Sequence, residues 1–429
     1  MPADGNPAVL IVGGGSLQTP AMLAARSLGY DVWVTDRDPD CPGALLANRF
    51  IPLDIYDVDA HVALARECAR DLAGVFTTAC NATVTVAAAA AAAGLPGIPV
   101  PLAETMADKL RFRVRLADAG LAALQPAWAA VTGRIGVESF ARDQGFPVIV
   151  KATNLSGGRG HRIVHADGAL AALDDAPALV EEYVAGDEVS VDTLWIDGTM
   201  VPLNAVLRLF APRWLTFRPR SGNADLPMPW PRRILEAGWR TPIELGHISP
   251  APVSADRYFA LWMAVEAVGS ALGYDKLVGG HVLKCDLVLT EDGVKVLEAT
   301  PRLSGNWDSG LSHHLAFGRD LTRLALSLAV GRLPHPTWWQ PRHFRYAVVL
   351  NLYPERPGLL ESVSIPSGAR AVRRFQKPVR IPAVVDGYAS SIAAYAAGVG
   401  ASWLEAYLDA AGVAGKVVFH VERSEEAAG

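Results

Sequence analysis

Between residues 8 and 103 short apolar runs alternate with helical stretches, and this alternation restricts the fold more than any other feature of the sequence. Residues 8–12 are a continuous apolar run, Gly13-Gly14-Gly15 form a tight turn, and residues 20–28 read as a helix with Pro20 in its first turn. A second run at 31–35 ends at Asp36. The pattern then predicts a helix over 61–70, a strand over 74–78 and an alanine-rich helix over 84–93. Apolar strands separated by helices bury both faces only as a parallel sheet covered on both sides. Ligands of such sheets bind beyond the carboxyl ends of the strands, here near Gly14, Asp36 and the segment that ends in Asn81.

The pattern changes after residue 105. Helix is predicted over 108–119, strand near 126–130, helix over 137–144 and strand over 148–152, followed by a glycine loop and strands at 162–165 and 179–183. This describes a small α+β lid spanning about 122–184. Residues 188–210 and 277–299 read as antiparallel strands around a helix at 255–272. The segment 211–253 is rich in proline, tryptophan and arginine and lacks periodicity, so it is expected to be an irregular insertion with a functional role. A helix at 320–330 and a connector lead to a β-rich C-terminal module from about 346. The expected domains are thus 1–105, 106–335 and 336–429.

Length and composition exclude several classes. A chain of 429 residues with 51 % hydrophobic and 19 % charged residues has material for two to four globular cores. Its net charge of −5 argues against nucleic acid or an anionic membrane as partner. The alanine helix is too short for a membrane span, which takes roughly 20 residues, and residues 1–7 lack the features of a signal peptide. Four cysteines (Cys41, Cys68, Cys80 and Cys285) lie far apart with no CxxC pair, a pattern of reducing compartments. The expected location is the cytoplasm.

The first glycine cluster imitates a dinucleotide fingerprint. That motif requires glycine at its sixth place, where this chain has Gln18, so NAD binding by an oxidoreductase is disfavoured. A substrate-facing loop and a purely structural turn are the other readings.

The second cluster, Ser156-Gly157-Gly158-Arg159-Gly160, lies between two strands and so reads as a hairpin whose backbone N–H groups can close over phosphates. Lys151, at the end of the preceding strand, either reaches solvent or points into an anion site. The run from Leu179 through Glu181, Glu182 and Val184 to Glu188 fits a hinge gripping adenine, with Glu188 accepting from ribose hydroxyls. Strands at 281–289 and 294–299 are joined by Glu291-Asp292-Gly293. A three-residue hairpin with glycine in the left-handed position would pair 290 with 294, and so place Asp286 opposite Glu298. Adjacent carboxylates repel by up to about 1 kcal/mol on a sheet surface. A cation removes that cost, and oxygen-only ligands suit Mg²⁺ bridging phosphates. Lys284 falls on the same face. Arg302 follows at a distance suited to holding an acyl phosphate or a carboxylate. The adjacent His313 and His314 cannot face one metal from a helix, which favours structural or substrate contacts.

In this order the residues resemble the ATP-grasp superfamily, in particular its carboxylate–amine ligase branch of L-amino acid ligase type, over residues 8–335. The resemblance implies an ATP-grasp fold with an N-terminal Rossmann-like parallel-sheet domain, a mobile lid subdomain and a β-rich C-terminal module. It implies Lys109, Lys151, Ser156, Gly157, Gly158, Gly160, Glu181, Glu182, Val184 and Glu188 as the ATP site. It implies Asp286 and Glu298 as ligands of Mg²⁺, for which Mn²⁺ can substitute, and Arg302, Lys151 and Arg159 as catalytic. Arg302, Gly305, Arg218, Arg220 and Asn81 would meet the substrates. Thr300 stands where such proteins often carry asparagine.

The implied reaction forms an amide through an acyl phosphate, from small-molecule carboxylates and amines such as amino acids. Alternatives on the same scaffold are a carboxylase or purine-type ligase using carboxyphosphate, or a silent nucleotide-binding module. A homodimer is expected by analogy. A carrier protein is not indicated.

Overall fold

The computed structural model describes residues 6–153, 160–166, 176–211, 213–214, 222, 225–384 and 388–422. Strands β1 (Ala8–Val12), β2 (Asp31–Asp36), β3 (Arg49–Pro52) and β4 (Leu72–Phe76) form the expected parallel sheet, in the order β3-β2-β1-β4. Helices α1 (Thr19–Ser27), α2 (Val58–Glu67) and α3 (Thr83–Ala93) connect or cover these strands. Helix α2 begins three residues earlier than expected because the Asp57 side chain caps it, accepting from the Ala60 N–H. The alanine helix ends at Gly94, which takes the left-handed conformation (φ 69°) that glycine adopts without steric cost.

Two helices, α4 (Val100–Ala107) and α5 (Lys109–Asp118), lead to a separate antiparallel sheet. It comprises β5 (Trp128–Thr132), β6 (Val148–Lys151), β7 (His161–Val164) and β8 (Pro177–Glu182), in the order β5-β8-β6-β7. Helix α6 (Gly133–Gln144) covers one face, where Val137 and Ala141 pack against Val148, Val150, Val164 and Val180.

The rest of the chain is built on one antiparallel sheet of eight strands. Its members are β9 (Asp187–Ile196), β10 (Thr199–Phe210), β11 (Glu244–Ser249), β12 (Gly280–Leu289), β13 (Val294–Thr300), β14 (Tyr346–Leu352), β16 (Ala371–Arg373) and β18 (Ala394–Gly400), ordered β13-β12-β9-β10-β11-β14-β18-β16. A small third sheet pairs β15 (Gly358–Ser364) with β17 (Val379–Ile381) and β19 (Val418–Val421). Helices α7 (Arg232–Ala237), α8 (Ala255–Leu272), α9 (His313–Phe317), α10 (Leu321–Ala329) and α11 (Trp403–Ala414) complete the chain. Among the described residues no helix is long and apolar enough to cross a membrane.

Two expectations need correction. The segment 211–253 is not irregular throughout, because β11 lies in the middle of the large sheet with all six residues buried. A strand buried on both faces has no alternation to detect, and Gly246 and His247 weaken its apolar signature. The β12–β13 turn also differs in register, since Leu289, not Thr290, pairs with Val294, although Gly293 does take a positive φ of 143°. A bulge at Leu297 then restores the offset, so that Asp286 does face Glu298.

The sheet does not stop at residue 335. Strand β14 pairs with β11, and β18 with β14. Helix α11 lies backbone to backbone on β18. A Cβ at Gly398 would come within 2.2 Å of the Ala410 nitrogen and 2.3 Å of the Ala406 oxygen.

Candidate active site

The ends of the three regions enclose a cavity of about 650 Å³ lined by both nominated lysines, both nominated metal acids and Arg302. Each reaches it for a local reason. Asp108 caps α5, its carboxylate accepting from the Leu110 and Arg111 N–H groups at 2.9 Å, so Lys109 is the first helical residue. The Lys109 N–H donates to the Thr153 carbonyl at 3.1 Å, which brings it beside the end of β6, where Lys151 is 6 % exposed.

Glu181 is the counter-ion of this corner. Its Oε2 accepts from Lys151 Nζ at 2.5 Å and its Oε1 from Arg113 Nε at 2.6 Å. Burial alone would raise this carboxyl, but Arg113 and Lys151 outweigh it and hold it at about 2. The side chain of Glu181 is thus engaged by protein cations. The Val184 carbonyl likewise accepts from Arg213 at 2.8 Å. Arg113 also donates to the carbonyls of Val296 and Leu297, at 2.7 and 2.9 Å. It thus links the small sheet to the bulge that aligns Glu298. Burial, then Lys151, lowers the Lys109 ammonium against Glu298 and Glu181, and burial keeps His161, which also lines the cavity, neutral.

Asp286 and Glu298 form the centre. Ser190 Oγ donates to Asp286 Oδ1 at 2.5 Å, Arg208 Nη1 donates to Oδ2 at 3.2 Å, and Lys284 Nζ also bonds Oδ2. Lys284 lies 3.7 Å from Glu298 Oε1. Burial works to raise the Glu298 carboxyl, but Lys284, Lys109 and Arg302 hold it well below the usual range. Two carboxyl groups on adjacent strands facing one cavity supply oxygen donors of the kind that fit a magnesium ion. Thr300 is buried, and its hydroxyl has no hydrogen-bond partner among the described residues and does not line the cavity.

Glu188 lines the cavity between Arg208 and Arg213, at 3.3 and 3.6 Å, and burial raises its carboxyl despite both. The far wall comes from the two ends of the chain. Arg302 donates through Nε and Nη2 to Asn81 Oδ1 at 3.2 and 2.7 Å, across the boundary with the parallel sheet. Gly305 lies beside it in the lining. Glu244, on the unforeseen strand, accepts from Arg208 at 2.7 Å and from the Tyr388 hydroxyl at 2.7 Å.

The glycine turn after β1 has a structural explanation. Gly14 N–H donates to Asp36 Oδ2 at 2.8 Å, and Gln18 Nε2 reaches the Thr78 carbonyl at 2.6 Å. Asp36 is thereby engaged by the turn, and Leu17 rather than the glycines reaches the cavity. His313 is fully buried against Phe317. Gly160 is described, whereas Ser156, Gly157, Gly158, Arg159, Arg218 and Arg220 lie outside the described residues.

Sequence reasoning missed Arg113, Arg208, Glu244, Asp308 and Tyr388. Arg113 had a signal, since it shares a helix face with Lys109, Phe112 and Leu116 at spacings of three, four and seven. Arg208 and Glu244 had none, because their partners are distant in sequence.

Known proteins carry the same architecture. The parallel N-terminal sheet, the small antiparallel sheet and the large antiparallel platform together have the ATP-grasp fold. The model for the carbamoyl-phosphate synthase L chain, ATP binding domain, matches residues 108–192. Phosphoribosylglycinamide synthetase from Anaerococcus prevotii superposes with a TM-score of 0.72 at 17 % identity, over 97 % of this chain and 100 % of that one. L-amino acid ligase from Bacillus licheniformis gives 0.72 at 20 %, over 98 % and 100 %. In sequence, the carbamoyl phosphate synthase large chain of Micrococcus luteus is 26 % identical over 300 residues, 66 % of this chain and 24 % of the relative. The chain thus spans about a quarter of that relative's length.

Proposed function

We propose that the chain is a magnesium- and ATP-dependent ligase that joins a small-molecule carboxylate, such as that of an amino acid, to an amine. The observation that carries this reading is that Lys109, Lys151, Asp286, Glu298 and Arg302, scattered over nearly two hundred residues, face one cavity. In the proposed reaction the substrate carboxylate attacks the γ-phosphorus of ATP, giving an acyl phosphate and ADP. The amine then attacks the acyl carbon, phosphate leaves with the C–O bond electrons, and the amine nitrogen sheds a proton. No protein nucleophile is needed, since positioning and charge neutralisation suffice.

Lys109 and Lys151 would hold the phosphates, and Glu188 would meet the ribose. Arg302, kept in place by Asn81, would hold the carboxylate and then its phosphate. Asp286 and Glu298 would hold magnesium, which supplies charge neutralisation for the transferring phosphoryl group. Residues 156–160 would cover the phosphates.

Residues 1–105 would serve as one substrate wall, 106–335 as the ATP-grasp domain with its lid at about 122–184, and 336–429 as the other wall. A cytoplasmic location and a homodimer belong to the same reading.

A carboxylase or purine-type reaction through carboxyphosphate is the second reading, favoured by the match to a carbamoyl-phosphate synthase domain. Magnesium-dependent ADP release over a matrix of carboxylates and amines, with mass spectrometry of every positive well, separates the two. A product of condensed mass supports amide formation. ADP release that requires bicarbonate favours the second reading. A protein that binds ATP yet releases no ADP with any pair counts against both.

A further inference from the structure

The loop that follows Arg302 concentrates unmade hydrogen bonds at the cavity wall. Ser304 and Asp308 are 4 % and 3 % exposed and both line the cavity. Asp308 Oδ2 nevertheless has no well-directed partner among the described residues, nor do Asn306 Nδ2 and Trp307 Nε1, and the Ser304 hydroxyl stands beside the carboxyls of Asp308 and Asp192. The other oxygen of Asp308 accepts from Ser312 Oγ at 3.1 Å. Behind the loop, fully buried Asp192 accepts the Ser304 N–H on Oδ1 at 2.8 Å, with the Ser304 hydroxyl also beside this carboxyl, and its Oδ2 has no well-directed partner among the described residues. Asn306 and Trp307 sit in the left-handed region (φ 54° and 66°), a conformation that side chains other than glycine adopt at a cost, most often where function requires it.

Buried polar atoms that the fold leaves unpaired weaken it, and they are kept where something arrives to pair them. A carboxyl oxygen and a hydroxyl side by side accept from a compact donor with several N–H groups, which is an alkylammonium. Burial, with Asp192 adding to it, also pushes the Asp308 carboxyl well up, as expected of an acid awaiting a cationic partner. Arg302, two residues before Ser304, carries the opposite charge at the same end of the cavity.

We propose that Asp308 and Ser304 recognise the protonated amino group of a substrate, so that this end of the cavity takes a zwitterionic amino acid in preference to a simple carboxylic acid. The inference rests on assigning this end of the cavity to substrate, and it deepens the ligase reading by naming the group that reads the amine.

The test is isothermal titration of the full chain, in Mg-ADP, with each proteinogenic L-amino acid and with propionate as the amine-free control. Wild type is compared with Asp308→Asn, which keeps an oxygen for Ser312. A melting temperature and Mg-ADP affinity equal to wild type show that the variant is folded. At least one amino acid should bind wild type and bind the variant on the order of 30-fold more weakly, as removal of one partner of a buried charge pair does. Propionate should not distinguish the two proteins. Equal amino-acid affinity in both proteins overturns the proposal, as does the absence of any amino-acid binding to a wild type that binds Mg-ADP. Binding of Mn²⁺ alone that is lost in the variant also overturns it, in favour of a metal site. Asp308-dependent binding without ADP release on adding ATP and each of the amines would leave this inference standing and sink the ligase reading. Amino-acid-dependent ADP release with an unchanged KM in the variant would do the reverse.

Discussion

Lys151 and Glu181 face each other across adjacent strands of the small sheet, Nζ to Oε2 at 2.5 Å, while Arg113 holds the second carboxylate oxygen at 2.6 Å. One buried anion therefore orients a lysine of the cavity and anchors an arginine that reaches the strand carrying Glu298.

Replacing Glu181 with glutamine leaves Arg113 buried without a charge partner. Urea unfolding should show a loss of about 3–5 kcal/mol, together with weaker ATP binding. The pH dependence has a definite sign. A carboxyl held at about 2, against an ordinary 4.5, contributes stability that is complete above about pH 4.5 and lost as the pH falls towards 2. The variant should lack that part of the acid transition. An unchanged acid limb would remove Glu181 from its role.

Glu298→Gln should abolish magnesium-dependent ADP release and weaken Mn²⁺ binding, read by electron paramagnetic resonance, by about 100-fold. Chelation of the metal should mimic the variant. Turnover equal to wild type would refute the metal assignment.

Asn81 touches Arg302 across the boundary between the parallel sheet and the large sheet. With Asn81→Ala the guanidinium loses its tether, and KM for the carboxylate should rise by about tenfold while the ATP affinity holds. A change confined to ATP would show that Asn81 serves another group.

Lys284 Nζ bonds Asp286 and lies 3.7 Å from Glu298 Oε1, where its charge opposes an incoming divalent cation. Lys284→Met should therefore tighten Mn²⁺ binding by about tenfold in calorimetry. Weaker binding would mean that the lysine chiefly aligns the two acids.

The parallel sheet was legible because its strands and helices are local and its turns carry glycine. The opposition of Asp286 and Glu298 was also legible, but by compensating errors. The turn was read one residue out of register, and the bulge at Leu297, which no turn rule foretells, corrected it. Strand β11 was hidden because a strand covered on both faces loses its period, and Glu244 and His247 were hidden with it. The roles of Arg208 and Asp308 depend on side chains that meet only when distant strands align. The fold of the N-terminal third follows from neighbours in sequence, whereas the charge network of the site follows from the sheet register.

The continuity of the large sheet past residue 335 limits how this chain can be recombined. Strand β14 pairs directly with β11, and Asn351, Tyr353 and Tyr388 all bond Glu244. A hybrid that exchanged everything after residue 335 for the tail of another protein would expose a raw sheet edge and strip three donors from a residue of the cavity. New specificities are better grafted onto the loops between strands, where 304–308 and 388–390 meet the cavity, than swapped in as a cassette.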